Sequence, residues 1–311
     1  MLSRSGRQAG LLVLIFHRVL PEPDPLLPAE PDAARFSTLL DLLRFGFNVL
    51  PLREAVERLR AGTLPARSIC ITFDDGYANN CDVAMPLLVQ KGLPATVFVA
   101  PGFLGGGRMF NDSVIEAIRQ APVDLDLREL GLGILPLDSI AARVTAIDRV
   151  LRALKYLEPL DRLRRAELVA EHAGATLPND LMMTPSQVRR LHDSGVEIGA
   201  HTVDHPILAR VDDEIARRQI VESKRLLEQL VGGPVCSFAY PNGRPQQDYH
   251  RNHVAMARDA GFALAVSTAW GAATAATDPF QVPRVAPWGA SAVRYGGRLL
   301  AAYRDRRHAV A

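Results

Sequence analysis

A chain of 311 residues, 48% hydrophobic and 23% charged, can bury a sizeable core and has the balance of a globular enzyme, which excludes disordered and fibrous classes. Its 36 basic and 34 acidic side chains leave a net charge of only +2, so electrostatics give no ground for nucleic acid as the main partner. Cys70, Cys81 and Cys236 lack C-x-x-C spacing, which argues against a disulfide framework or cysteine metal site and points to a reducing compartment, the cytoplasm, with the periplasm or a membrane surface as alternatives.

Near the N-terminus Arg4 and Arg7 precede the apolar run 11–16, which superficially resembles an export signal. The run is short, lacks a small-residue cleavage site and leads into His17-Arg18, so a buried strand is expected there. Further apolar runs at 68–73, 95–100, 196–202, 235–240, 262–267 and 281–285 read as strands covered on both faces, being continuous rather than alternating. Helices are expected at 32–45, at 82–91 with Gly92 as its stop, at 184–195 opened by Thr184-Pro185, at 212–231 and at 250–259. Residues 104–183 break the rhythm, with helical patterns at 111–120, 139–157 and 160–172 and no expected strand. The reading is one α/β domain over residues 1–311, a distorted (β/α)7 barrel with a helical insertion at about 104–183 flanking the site. No stretch is long and apolar enough to cross a bilayer. The basic C-terminal residues Arg304, Arg306, Arg307 and His308 read first as a solvated tail, with an anionic-lipid contact as the alternative.

Chemistry concentrates at three strand ends. Thr72-Phe73-Asp74-Asp75-Gly76 places two adjacent carboxylates after an apolar strand, and side chains adjacent on an extended chain point apart, so each can have its own task. An acidic pair before glycine also suits an ordinary turn. His201-Thr202-Val203-Asp204-His205 follows another strand, and Pro206 disfavours helix at His205, so the chain is expected to loop back and bring the two imidazoles together, with the Thr202 hydroxyl holding the loop. With Asp75 this makes a set of two histidines and one carboxylate, an open composition suited to a divalent metal. Phe238-Ala239-Tyr240-Pro241-Asn242-Gly243 gives a rigid rim that either aims a backbone N–H at an oxyanion or merely ends a strand.

In this order the three motifs resemble those of the NodB-type polysaccharide deacetylases, carbohydrate esterase family four, over about residues 11–287 apart from the insertion. The resemblance implies a distorted (β/α)7 barrel that removes acetyl groups from an acetylated glycan or glycolipid with a divalent metal, zinc first, with cobalt, nickel or iron as alternatives. It implies Asp75, His201 and His205 as ligands, Asp74 as general base and the Tyr240 backbone N–H as part of an oxyanion hole. Two departures stand out. Ala239 occupies the place of an arginine that orients the base in many members, and Arg284 in Val282-Pro283-Arg284-Val285 is the candidate replacement. The late Leu-x-His motif that supplies the general acid is missing, and His17 after the first strand resembles the acid of the poly-N-acetylglucosamine deacetylase branch. Tyr77, Phe103, Tyr240 and Trp288 are expected to shape a sugar groove. Rival readings are a deformylase or amidase on a non-polymeric substrate, and a carbohydrate-binding barrel without turnover.

Overall fold

The structure, a computed structural model, describes residues 4–286, 292–305 and 309–311. The apolar run near the N-terminus forms β1 (Leu11–Phe16), buried along its whole length. It pairs in parallel, from Leu11↔Ser68 to Phe16↔Phe73, with the equally buried β3 (Ser68–Phe73). Between them lie α1 (Ala33–Gly46), β2 (Asn48–Val49) and α2 (Leu52–Ala61). Asp32 caps α1 by accepting from the Arg35 N–H, and Phe36, Leu40 and Leu43 form its buried face.

Beyond β3 come α3 (Met85–Lys91), β4 (Thr96–Val99), α7 (Pro185–Asp193), β7 (Glu197–Ala200), α8 (Asp213–Val231), β8 (Ser237–Ala239), α9 (Arg251–Asp259) and β9 (Leu264–Val266). The main sheet runs β1-β3-β4-β7-β8-β9, with β2 also paired to β3. It is curled and not fully closed. Between β9 and β1 the segment 281–285 makes only isolated bridges, Val266↔Val282 and Leu14↔Val285, rather than the full strand expected there. Pro283 has no N–H to donate, which limits that ladder. α10 (Ala292–Arg304), not anticipated from sequence, is held on the β1–β3 side by a 2.7 Å bond from the Tyr303 hydroxyl to the Ser68 carbonyl. Arg304 is exposed at its end, while Arg306, Arg307, His308 and Trp288 lie outside the described residues.

Because side chains alternate along a strand, Leu12, Leu14 and Phe16 of β1 join the large cluster containing Phe36 and Ile220 from the helices, while Leu11 and Val13 join a second cluster with Cys70, Phe98, Val266 and the α2 residues Leu52 and Leu59. Each such aliphatic or aromatic side chain contributes about 1.5–3 kcal/mol on full burial. The three cysteines are free.

The segment 104–183 holds α4 (Phe110–Gln120), α5 (Ile140–Leu154) and α6 (Pro159–Ala173), close to the expected helices. It also holds a hairpin that the expectation of no strand missed: β5 (Asp124–Leu127) pairs antiparallel with β6 (Gly133–Pro136). Leu125 and Leu127 bury themselves with Leu135, Ile118, Val150 and Val169 in a cluster belonging to this segment. The chain then returns beside the acidic pair, where the Met183 N–H donates to the Gly76 carbonyl at 3.0 Å.

Candidate metal centre and active site

Asp74 still belongs to the sheet in its hydrogen bonding, its N–H donating to the Phe16 carbonyl at 2.9 Å. Asp75 leaves it with φ 76°, in the left-handed region that costs a non-glycine residue on the order of 1–3 kcal/mol. Gly76 follows at φ 90°, and a Cβ there would lie 3.1 Å from Val99 Cγ1. This reversal sends the two carboxylates to different partners.

On the neighbouring strand end, the His201 N–H donates to the Val99 carbonyl at 3.0 Å. His201 Nδ1 lies 2.8 Å from the Ala239 carbonyl, which can only accept, so the ring proton sits on Nδ1 and Nε2 keeps its lone pair. Thr202 (φ 60°) and His205 (φ 51°) are also left-handed. Four hydrogen bonds help hold this strained loop. The Thr202 hydroxyl donates to the His201 carbonyl at 2.5 Å. Gln219 Oε1 on α8 accepts from the Val203 and Asp204 N–H groups at 2.9 Å each. The buried Arg162 of α6 donates to the His205 carbonyl at 3.3 Å.

Asp75 Oδ1 consequently lies 3.5 Å from both His201 Nε2 and His205 Nε2. One ligand atom from each residue falls within 4.8 Å of the others, a set suitable for one divalent ion. The donors fit the group chemically: one carboxylate and two imidazoles satisfy a borderline cation and leave positions open. Burial pushes the Asp75 pKa up, but the electropositive surroundings made by the imidazoles packed around it outweigh burial and hold the carboxyl well below its ordinary value. Burial brings His205 down to about 3, so its imidazole is neutral at physiological pH, as a ligand must be. His201 moves the other way: burial lowers it, but Asp74 and Asp75 raise it further.

Asp74 faces Arg284. The guanidinium, 2% exposed, donates from Nη1 to Asp74 Oδ1 at 2.6 Å and from Nη2 to Oδ2 at 2.7 Å, a bidentate pair. Its Nε donates to the Ser267 carbonyl at 3.0 Å, and Nη1 reaches Thr72 Oγ1 at 3.3 Å, so the fork is fixed at both ends. Burial raises the Asp74 pKa, but the Arg284 and His201 charges outweigh it and keep the group below its usual value. Asp74 Oδ2 is 3.9 Å from His201 Nε2.

A cleft of about 960 Å³ opens over this centre and is lined by His17, Asp74, Asp75, His201, His205 and Arg284. His17 follows β1, and its carbonyl accepts from Asn80 Nδ2 at 2.9 Å.

Tyr240 corrects the expectation that its ring shapes a sugar groove. Its backbone N–H, at the strand end, donates to the Val266 carbonyl at 3.3 Å. Its ring is fully buried, stacked on Tyr249 at 3.9 Å between centroids, and so lines no groove. Tyr77 is likewise buried, with its hydroxyl on Asp112 at 3.1 Å, and Phe103 packs with it in a small core cluster. Among the described residues, the rings of Phe110, Tyr156 and Trp270 line the cleft, none of them anticipated. Phe110 and Tyr156 come from the insertion, where only tertiary packing brings them to the site. Trp270 lies four residues after β9, and its position past a strand end was the available signal.

A family model described as Polysaccharide deacetylase matches residues 61–127 and 164–265, more than half of the chain. The putative polysaccharide deacetylase YxkH of Bacillus subtilis is 20% identical over 283 residues, covering 91% of this chain and 73% of that protein. Among solved structures, the Streptococcus pyogenes deacetylase PplD in complex with acetate superposes with a TM-score of 0.59 at 19% identity, over 89% of this chain and 92% of that one. IcaB from Ammonifex degensii gives 0.60 at 19% identity, over 96% and 98%. These two likenesses show a shared fold.

Proposed function

The chain belongs to the polysaccharide deacetylase family, and from that premise we propose that it is a metal-dependent hydrolase removing acetyl groups from N-acetylated amino sugars of a polysaccharide or glycolipid. The observation that carries the reading is the pairing of the Asp75, His201, His205 set with an adjacent Asp74 clamped by a buried arginine, all on one cleft. Asp75, His201 and His205 would hold the metal. Once bound, a divalent cation there supplies Lewis-acid polarisation of the acyl oxygen and makes water easier to deprotonate.

Asp74 takes the proton from the attacking water. Its carboxylate is ionised at neutral pH, and the Arg284 fork fixes its plane while leaving each oxygen a second lone pair. As the C–N bond breaks, the amine nitrogen must receive a proton, and His17 stands on the same cleft to give it. Its place after β1, with no Leu-x-His motif late in the chain, is what favours the poly-N-acetylglucosamine deacetylase branch. Among the described residues no helix is long and apolar enough to cross a membrane.

The test is acetate release from acetylated chito-oligosaccharides and a panel of N-acetylated glycans and glycolipids, with metal content measured on the same preparation. Acetate release that disappears on chelation and returns with added metal is expected. Release of formate from formylated analogues alone would make the protein a deformylase, and sugar binding without turnover would leave a carbohydrate-binding barrel.

A further inference from the structure

The charge on the chain is balanced, but the charge on the cleft is not. Away from the metal centre the cleft is lined by Arg152, Lys155, Arg244 and Arg298, with Asp148 as the single acidic residue there among the described residues. The buried Asp248 behind this wall offsets part of the charge of Lys155 and Arg244. Asp148 is committed to Arg152, one turn along α5, at 2.6 Å. Lys155, at the C-terminal end of α5, has its ammonium 5.5 Å from the centre of the Tyr156 ring, and Arg210 lies over the same ring at 5.4 Å. Arg298 lies 5.5 Å from the centre of the Trp270 ring.

The convergence is built rather than scattered. The Tyr156 hydroxyl accepts from Gln247 Nε2 at 2.6 Å, tying the end of α5 to the loop that carries Arg244. The Arg244 N–H is itself pinned to Asp248 Oδ2 at 3.0 Å. Lys155 is half-buried, and its pKa is lowered, chiefly by burial, with the nearby Arg244 and Arg162 adding to the effect against the opposing pull of the buried Asp248. Like charges gathered on one wall are unfavourable alone and become favourable around an anion.

We propose that this wall, centred on Lys155 and Arg244 with Arg152 and Arg298 beside it, is a phosphate subsite, and that the amino-sugar substrate carries a phosphoryl group. Several cationic side chains converging on one wall suit a polyvalent anion, and a phosphate monoester carries about −1.5 to −2 at neutral pH where a carboxylate carries one charge. Arginine forks suit phosphate oxygens, and a lysine adds a mobile point charge. Phe110, Tyr156 and Trp270 offer flat apolar faces on the same cleft for the sugar itself. The sugar half of this inference rests on the deacetylase reading; the anion half does not.

The probes are N-acetylglucosamine, N-acetylglucosamine 1-phosphate and its phosphodiester with a short alkyl chain, titrated calorimetrically into the full metal-loaded protein. The phosphorylated sugars are expected to bind at least tenfold tighter than the neutral one, and the advantage should shrink as salt rises. Tighter binding of the diester than of the monoester would identify a lipid-type headgroup as the source, and the reverse a free sugar phosphate. The double variant Lys155→Ala, Arg244→Ala should lose the phosphate advantage, and Lys155→Arg with Arg244 intact should keep it. Equal affinity for neutral and phosphorylated sugars in the unaltered protein overturns the subsite whatever the variants do. Charge-dependent binding with no acetate released from any probe would refute the deacetylase reading and leave the subsite standing. Acetate release with no phosphate preference would do the opposite.

Discussion

Asp74 and Asp75 are chemically identical neighbours whose surroundings divide their work. Asp75 sits among imidazole nitrogens 3.5 Å away, whereas Asp74 is gripped by Arg284 at 2.6 and 2.7 Å. Asp74→Asn removes the proton acceptor and spares the ligand set, so metal content should hold while kcat falls by roughly 10²–10⁴; loss of metal in that variant would mean the roles are exchanged. Arg284→Ala has two separable consequences. Truncating one partner of a buried ion pair leaves an uncompensated charge and costs about 3–5 kcal/mol, visible as a lower melting temperature. Without the guanidinium, burial acts on Asp74 less opposed and its pKa rises. Since the base works ionised, activity should then fail at a higher pH on the acidic side, and a melting shift with an unmoved pH–rate profile would reduce Arg284 to a structural residue. His17 is tested by leaving-group chemistry. An amine cannot depart as a bare anion, whereas a phenolate can, so His17→Ala should cripple hydrolysis of an N-acetyl sugar, largely spare an activated aryl acetate, and retain metal. Equal losses on both substrates would remove His17 from the acid role.

At the scale of elements, the ligand loop depends on a helix that the barrel itself does not supply. Arg162 of α6 is 5% exposed, pairs with no carboxylate among the described residues, lies 4.6 Å from the centre of the Phe110 ring and donates to the His205 carbonyl. We propose it as a positioning residue for His205, held at φ 51° in the candidate ligand set. Arg162→Ala should weaken metal affinity by about 10–100-fold, the usual range for groups that orient ligands from behind; metal titration with unchanged affinity would refute the link. How much of this was legible in the sequence follows from where each signal lives. The strand ends bearing Asp74, Asp75, His201 and His205 were readable because continuous apolar runs mark strands buried on both faces. Arg284 could be singled out only through the resemblance, as a stand-in for the arginine missing at Ala239, and the strand expected around it proved to be two isolated bridges. The two-residue β2 offers too little pattern to see. The β5–β6 hairpin did carry a signal, the alternation Asp124-Leu125-Asp126-Leu127, which the helical periodicity around it obscured. Arg162, Tyr156 and Trp270 carried no comparable local mark, because their relation to the site is entirely tertiary.

Across the whole molecule, the metal centre is a statement about the fold. Asp75 stands at the end of β3 and the two histidines beyond β7, with the insertion between them in sequence and β4 between them in the sheet. No short peptide could assemble that set, so the unfolded chain has no equivalent site and binding free energy passes into folding stability. A ligand present at a thousand times its dissociation constant stabilises the native state by about 4 kcal/mol, and for a large domain each kcal/mol is worth roughly 2–4 °C in melting temperature. Zinc or cobalt added to chelator-treated protein should therefore raise its melting temperature by about 8–16 °C at that saturation. The same addition to His201→Ala or His205→Ala should give a much smaller rise, because two remaining donors bind too weakly. Differential scanning calorimetry of the three proteins with and without metal makes the comparison independently of any substrate. A full rise in both histidine variants would place the ion elsewhere on the chain, and no rise in the unaltered protein would mean that these three side chains do not hold one.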